Sequence, residues 1–320
     1  MPLPRLLLSR HYPEAVIARA RRDYQVVLPE HDASANGDAL IEQLQGVDGA
    51  LISASNRFTA TIFARLPAEV KIIASYSVGY EHVDLDAAKA KGVVITNSPD
   101  VLNDATADTA LLLLLAASRR ARECLQMVLN GDWVGWSPTH LLGKQPTGKR
   151  LGIIGMGRIG RAMAERCRAL GMDIHYHNRS RLAADLEGDA TYHATADELF
   201  RVADFLSIHC EMTPATTKLV NARTIALMPD APVIVNTARG GIVDDEALLA
   251  ALKSGRVAAA GLDVFDGEPK LHPGYLKAPT AFLLPHIGSA TLDTRNAMGF
   301  RALDNLDAYF AGREPGDRLA

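Results

Sequence analysis

Three polar residues have the types and positions to do chemistry together: Arg239, Glu268 and His286. They lie in NTARGG (236–241), GLDVFDGEP (261–269) and LPHIGSAT (284–291), each directly after an apolar run. Each therefore falls at the carboxyl end of a predicted strand, where open α/β sheets bind ligands. Arg239, next to two glycines, can bring its guanidinium fork onto a carboxylate while the backbone crowds the ligand. Glu268 and His286 can form a carboxylate–imidazole pair that orients the ring and stabilises its protonated form, keeping a proton available near neutral pH. Any one of them alone would read as a surface charge or a satisfied histidine. Three on successive strand ends, downstream of a dinucleotide motif, point to a hydride-transfer site.

That motif is GMGRIG at 155–160. The pattern G-x-G-x-x-G is weak alone, but RLGII before it reads as a strand and RAMAERCRALG after it as a helix. Gly155 allows the tight turn, Gly157 lets backbone N–H groups approach a pyrophosphate, and Gly160 allows close helix–strand packing. Met156, Arg158 and Ile159 complete the loop, and the helix N-terminus adds free donors and a favourable dipole.

About 20 residues further on, an acid normally binds the adenosine ribose hydroxyls. Here the strand DIHYH delivers Asn178, Arg179 and Ser180 instead. Asn removes the repulsion a carboxylate would exert on a 2′-phosphate, Arg offers it a permanently charged fork, and Ser adds a hydroxyl donor. The expected cofactor is NADPH/NADP+, with NADH as the second candidate.

The elements that must position these residues follow from alternating apolar runs and amphipathic segments, the pattern of parallel sheets covered by helices. Early strands are predicted at RLLL (5–8), QVVLP (25–29), GALIS (49–53), KIIAS (71–75) and VVITN (93–97), with helices between them, as at 39–45 and 84–92. A single helix is predicted from about Asp104 to Leu129, then a turn-rich segment, NGDWVGWSPTH (130–140). A second series follows: RLGIIG, DIHYH, FLSIH, PVIVN, AAAGLDV and AFLLPH. The final stretch, DTRNAMGFRALDNLDAYFAG, has helical periodicity and is expected to return to the first domain. The fold class is α/β, with two doubly wound (Rossmann/flavodoxin-like) parallel-sheet domains. Residues 1–99 plus 288–320 would form a substrate-binding domain and 100–287 the dinucleotide-binding domain.

Composition excludes several classes. With 34 basic against 37 acidic residues the net charge is −3, which leaves no electrostatic footprint for nucleic acid or an anionic membrane. Cys124, Cys167 and Cys210 are scattered and odd in number, so neither a disulfide framework nor a zinc site is expected, and a reducing cytoplasm is the simplest location. The N-terminus lacks the pattern of a signal peptide. The apolar run at 109–117 is too short for the roughly 20 residues of a membrane span. The histidines occur singly or at strand spacing without a converging acid set, so no metal site is implied. His272, in the loop between Glu268 and His286, reads as an exposed bystander.

SVGYEHVD (77–84), NSPDVLNDATADTALLLLL (97–115), GMGRIG, TPATTKLVN (213–221), NTARGGIVDDEALLAAL (236–252), GLDVFDGEP and LPHIGSAT together resemble the D-isomer-specific 2-hydroxyacid dehydrogenase family over essentially the whole chain. The resemblance is strongest to its glyoxylate/hydroxypyruvate reductase branch, which also takes in 2-ketogluconate reductases. It implies an active-site cleft between the two domains and a homodimer. It makes Arg239 the substrate-carboxylate arginine, His286 the catalytic histidine and Glu268 its partner. Val78 and Gly79 would meet the substrate carboxylate through backbone N–H groups, with Ser289 as a further substrate contact. Thr106 and Asp263 would line the nicotinamide side, and Thr237 joins the cofactor set. Trp133 and Trp136 resemble an arm at the dimer interface, where one ring can reach the neighbouring active site.

The expected reaction is NADPH-dependent reduction of a small 2-oxo acid (glyoxylate, hydroxypyruvate or 2-ketogluconate) to the D-2-hydroxy acid, with His286 as general acid. One alternative is an NAD-dependent relative of other specificity, such as a phosphoglycerate or formate dehydrogenase, which Asn178 and Arg179 oppose. The other is a non-catalytic NAD(P)H-sensing co-repressor sharing the Arg/Glu/His set. Such regulators carry extra terminal segments, whereas this sequence ends shortly after its last predicted helix.

Overall fold

The computed structural model describes residues 2–320. The described chain forms two compact units, residues 2–102 with 289–320 and residues 103–288.

In the first unit, β1 (Arg5–Leu8), β2 (Gln25–Val27), β3 (Gly49–Ile52), β4 (Ile72–Ser75) and β5 (Val94–Thr96) alternate with α1 (Glu14–Asp23), α2 (Asp38–Gln43), α3 (Ala60–Arg65) and α4 (Leu85–Lys91). The strands pair in parallel in the order β2-β1-β3-β4-β5. β1, β3, β4 and β5 are almost wholly buried apolar runs, as a sheet covered on both faces requires.

The second unit begins with α5 (Asn103–Ser118) and α6 (Ala121–Asn130). It continues through β6 (Arg150–Ile154), α7 (Arg158–Ala169), β7 (Asp173–His177), α8 (Ala184–Glu187), β8 (Thr191–Tyr192), α9 (Ala196–Val202) and β9 (Phe205–Ile208). Then come α10 (Ala222–Leu227), β10 (Val233–Asn236), α11 (Asp245–Ser254), β11 (Ala259–Leu262) and β12 (Ala281–Leu283). The seven strands are parallel in the order β12-β11-β10-β9-β6-β7-β8. Winding reverses between β6 and β9, which places the ligand-binding switch point there. One face of the sheet packs on Leu113, Met163 and Cys167 of α5 and α7, the other on Leu199, Ile225 and Leu248 of α9, α10 and α11. The last helix, α12 (Leu292–Phe310), belongs to the first unit. There Arg301 and Asn305 of α12 grip Asp317, and Leu319 N–H donates to Ile95 of β5.

Two expectations change. The single helix over 104–129 is two helices, broken at Arg120, which adopts a left-handed conformation with φ 53°. The Ser118 carbonyl that a continuous helix would use accepts instead from Lys144 N–H, so a returning segment caps α5. The second sheet also has a strand absent from the predicted series, β8, whose two residues are too few to show a period. No described helix is long and apolar enough to cross a membrane.

Candidate active site

The loop after β6 sits at the switch point. Gly155 has φ +89°, and a Cβ there would lie 2.5 Å from Cys210 N in the chain leaving β9, so only glycine lets the two strand ends approach. At Gly157 a Cβ would meet nothing within 4 Å. This backbone borders open space, at the start of a 12-residue helix whose N-cap has no side-chain acceptor for the first-turn N–H groups. An uncapped helix N-terminus behind a side-chain-free strip suits a pyrophosphate, so the residues fit a dinucleotide.

The chain leaving β7 carries Asn178, Arg179 and Ser180. Asn178 faces the glycine loop: its Oδ1 accepts from Met156 N–H at 2.7 Å, so it braces the loop besides removing a charge. Arg179 and Ser180 are exposed. Arg181 is occupied by Glu187, with Nε and Nη2 at 2.9–3.0 Å from its oxygens. Arg179 is thus the cation of this turn available to a ligand.

Arg239, Glu268 and His286 follow β10, β11 and β12, three neighbouring strands. Asn236, at the end of β10, shapes the arginine turn: its amide donates to Arg239 O at 2.9 Å and its carbonyl accepts from Ala238 N–H at 2.9 Å. A Cβ on Gly240 would overlap the backbone of Phe265 and Asp266, so the β10 and β11 loops are in direct main-chain contact. Phe265 N–H in turn donates to Glu268 Oε1 at 2.8 Å, and Glu268 Oε2 lies 2.6 Å from His286 Nδ1. Burial pushes the Glu268 carboxyl up, but the hydrogen bonds from His286 and Phe265 and the nearby Arg239 charge outweigh it and hold its pKa below the usual 4.5. The imidazole is 51% exposed; with Nδ1 on Glu268, Nε2 is the nitrogen left to meet a substrate.

His286 has φ 55°, uncommon for a residue with a side chain. Asp263 holds this turn. Its carbonyl accepts from His286 N–H at 2.9 Å, and its carboxylate oxygens accept from Ile287 and Gly288 N–H at 2.7 and 2.8 Å. Asp263 is 1% exposed, and burial outweighs these bonds to raise its pKa. Expected only as a nicotinamide neighbour, it is also the support of the turn that carries His286. Thr106 of α5 is buried, near where a Cβ on Gly288 would stand.

His209, at the end of β9, was missed. Its Nε2 is 2.8 Å from Ser207 Oγ and its Nδ1 3.5 Å from Thr237 Oγ1, and burial lowers its pKa to about 4. It is a neutral ring beside the glycine loop. A histidine closing FLSIH at a strand end was the available signal. His272 is half-buried rather than exposed: it accepts from Gly274 N–H at 3.1 Å and lies 3.0 Å from Glu246, so it organises its loop.

Val78, Gly79 and Ser289 belong to the first unit. Asn97 donates to Val78 O at 2.8 Å and Ser77 Oγ to Gly79 O at 2.7 Å, which fixes that loop's carbonyls. Trp133 and Trp136 are 61% and 84% exposed, alongside exposed Leu125, Val128, Leu129 and Val134.

A glycine loop at the switch point, with an arginine and a carboxylate–imidazole pair on neighbouring strand ends, is an arrangement that suits a nicotinamide-dependent oxidoreductase. Residues 111–288 match the family model described as D-isomer specific 2-hydroxyacid dehydrogenase, NAD binding domain. The chain is 41% identical over 322 residues to glycerate dehydrogenase of Hyphomicrobium methylovorum, covering 100% of both. It is 38% identical over 316 residues to glyoxylate reductase of Thermococcus onnurineus, covering 98% of this chain and 94% of the other. The crystal structure of NADPH-dependent glyoxylate/hydroxypyruvate reductase from Sinorhizobium meliloti, in complex with NADP and malonate, superposes with a TM-score of 0.84 at 35% identity, covering 99% and 97%. The chain belongs to the D-isomer specific 2-hydroxyacid dehydrogenase family.

Proposed function

We propose that the protein reduces a small 2-oxo acid with NADPH, glyoxylate or hydroxypyruvate first and 2-ketogluconate as a bulkier candidate, to the 2-hydroxy acid, of D configuration wherever the product is chiral. The observation that carries this is the 2.6 Å contact between Glu268 Oε2 and His286 Nδ1, on the two strand ends that follow in the sheet from the one bearing Arg239. The bound nicotinamide supplies the hydride. His286 delivers a proton from Nε2 to the carbonyl oxygen, and Glu268 stabilises the imidazolium that does so. Arg239 grips the substrate carboxylate and aligns the carbonyl, largely a positioning contribution. Val78, Gly79 and Ser289 are assigned to the substrate by family resemblance.

For the cofactor, Gly155 to Gly160 take the pyrophosphate, Arg179 and Ser180 the 2′-phosphate, and Thr106, Thr237 and Asp263 the nicotinamide side. Support for NADPH comes from the uncommitted Arg179 and from the NADP complex of the Sinorhizobium enzyme. The exposed apolar residues of α6 and the tryptophan arm form the face of a homodimer, as contiguous apolar surface of this kind marks an interface. Three free thiols suit a reducing cytoplasm.

The test is a panel of 2-oxo acids scored by kcat/KM with NADPH and with NADH, the product resolved on a chiral column. Glyoxylate or hydroxypyruvate with NADPH should lead, and hydroxypyruvate should give the D product, glycolate from glyoxylate being achiral. No turnover of any 2-oxo acid with either cofactor would overturn the enzymatic reading.

A further inference from the structure

The turn that carries Arg179 and Ser180 is anchored on both sides by groups with no part in the chemistry. Upstream, Asn178 is bonded to Met156 N–H, and its carbonyl accepts from Tyr192 Oη at 3.4 Å. Downstream, the buried carboxylate of Glu187, the last residue of α8, gathers three elements. It takes Arg181 Nε and Nη2 at 2.9–3.0 Å and Tyr176 Oη at 2.8 Å. Tyr176, itself fully buried in β7, accepts from Leu182 N–H at 3.0 Å. The Arg181 guanidinium also lies 5.9 Å from the Tyr192 ring centroid.

We propose that Glu187, with Arg181 and Tyr176, is a positioning clamp that sets NADPH affinity by holding the 178–182 turn so that Arg179 and Ser180 meet the 2′-phosphate. This rests on the NADPH reading above. An exposed arginine loses rotamer and backbone freedom on gripping an anion, and a turn already ordered loses less. The clamp also settles charge. A carboxylate beside a 2′-phosphate would repel it, and the full pairing of Glu187 with Arg181 cancels that, leaving Arg179 as the net charge of the turn.

Charge and positioning predict opposite outcomes for one variant. Glu187→Gln releases the Arg181 cation. If local charge governed affinity, NADPH would bind more tightly; if the clamp governs it, NADPH binds more weakly. Cofactor binding would be titrated at equilibrium without substrate, following NADPH and NADH fluorescence, with adenosine 2′,5′-bisphosphate and 5′-AMP compared by calorimetry. Glu187→Gln and Arg181→Met should each raise the Kd for NADPH and the bisphosphate roughly threefold to tenfold. NADH, 5′-AMP and kcat at saturating NADPH should not change, and Arg181→Lys should recover part of the loss. Tyr176→Phe, which removes only the hydroxyl, serves as the milder variant if Glu187→Gln folds poorly. Tighter or unchanged NADPH binding in Glu187→Gln, or equal weakening of NADH, would overturn the clamp. Arg179→Ala separates the two readings. Equal effects on both cofactors there reject the 2′-phosphate site itself, whereas a selective loss there with none in Glu187→Gln rejects the clamp alone.

Discussion

Glu268 divides its carboxylate between two loops: Oε2 lies 2.6 Å from His286 Nδ1, and Oε1 accepts from Phe265 N–H at 2.8 Å. The pair is therefore tied to the main chain that also touches Gly240, in the loop that carries Arg239. Because the Glu268 pKa is depressed, its contribution is complete above the ordinary carboxylate value and fades only as pH falls through the depressed one. It is anionic over the whole neutral range. Glu268→Gln should lower kcat for 2-oxo acid reduction with cofactor Kd unchanged, because the ring loses the carboxylate that holds Nδ1 and orients it. His286→Ala should cost about 10² to 10⁴ in turnover with cofactor Kd unchanged. Single-turnover reduction at the wild-type rate in His286→Ala would remove the histidine from the mechanism.

Gly240→Ala tests the contact between the β10 and β11 loops. The added methyl has no space against Phe265, so the loops must part and Arg239 must shift relative to Glu268. A displacement near 1 Å can cost about 100-fold in rate. The expected outcome is that order of loss in kcat/KM, with a stability cost of about 1–3 kcal/mol read from urea unfolding. Wild-type kinetics would mean that the contact does not set the site.

Arg179→Ala should raise the KM for NADPH roughly tenfold or more, the usual loss of a charge-assisted contact, and leave that for NADH nearly unchanged. Steady-state kinetics with both cofactors measure it.

Acid stability should follow His209. Its folded pKa of about 4 lies below the ordinary 6.5, so the fold holds the ring neutral while the unfolded chain takes up a proton. Its contribution is complete above pH 6.5 and is lost as pH falls towards 4. Between pH 7 and 5 this amounts to at most about 2 kcal/mol. His175 and His193, 3.0 Å apart and lowered mainly by burial, add in the same direction. His209→Gln should flatten the urea-midpoint profile over this range without abolishing it; an unchanged slope would show that His209 is not the group responsible.

The two parallel sheets, the glycine loop and the strand-end positions of Arg239, Glu268 and His286 were legible in the sequence because each is local. Apolar runs of four or five residues, a six-residue motif and polar residues just past a strand need no partner to be recognised. Tertiary structure decided what depends on residues far apart in the chain. Lys144 at Ser118 broke one predicted helix into two, and β8 exists only because β7 gives it a neighbour. The hold of Asp263 on the His286 turn spans more than 20 residues, as does the bond from Asn178 to the glycine loop. The composition around 178–182 marked an absent acid, but the fold alone separated Arg179 from Arg181, because Glu187 reaches the second guanidinium and leaves the first exposed. Residue type sets what chemistry a side chain can do; which neighbour occupies it is set by packing.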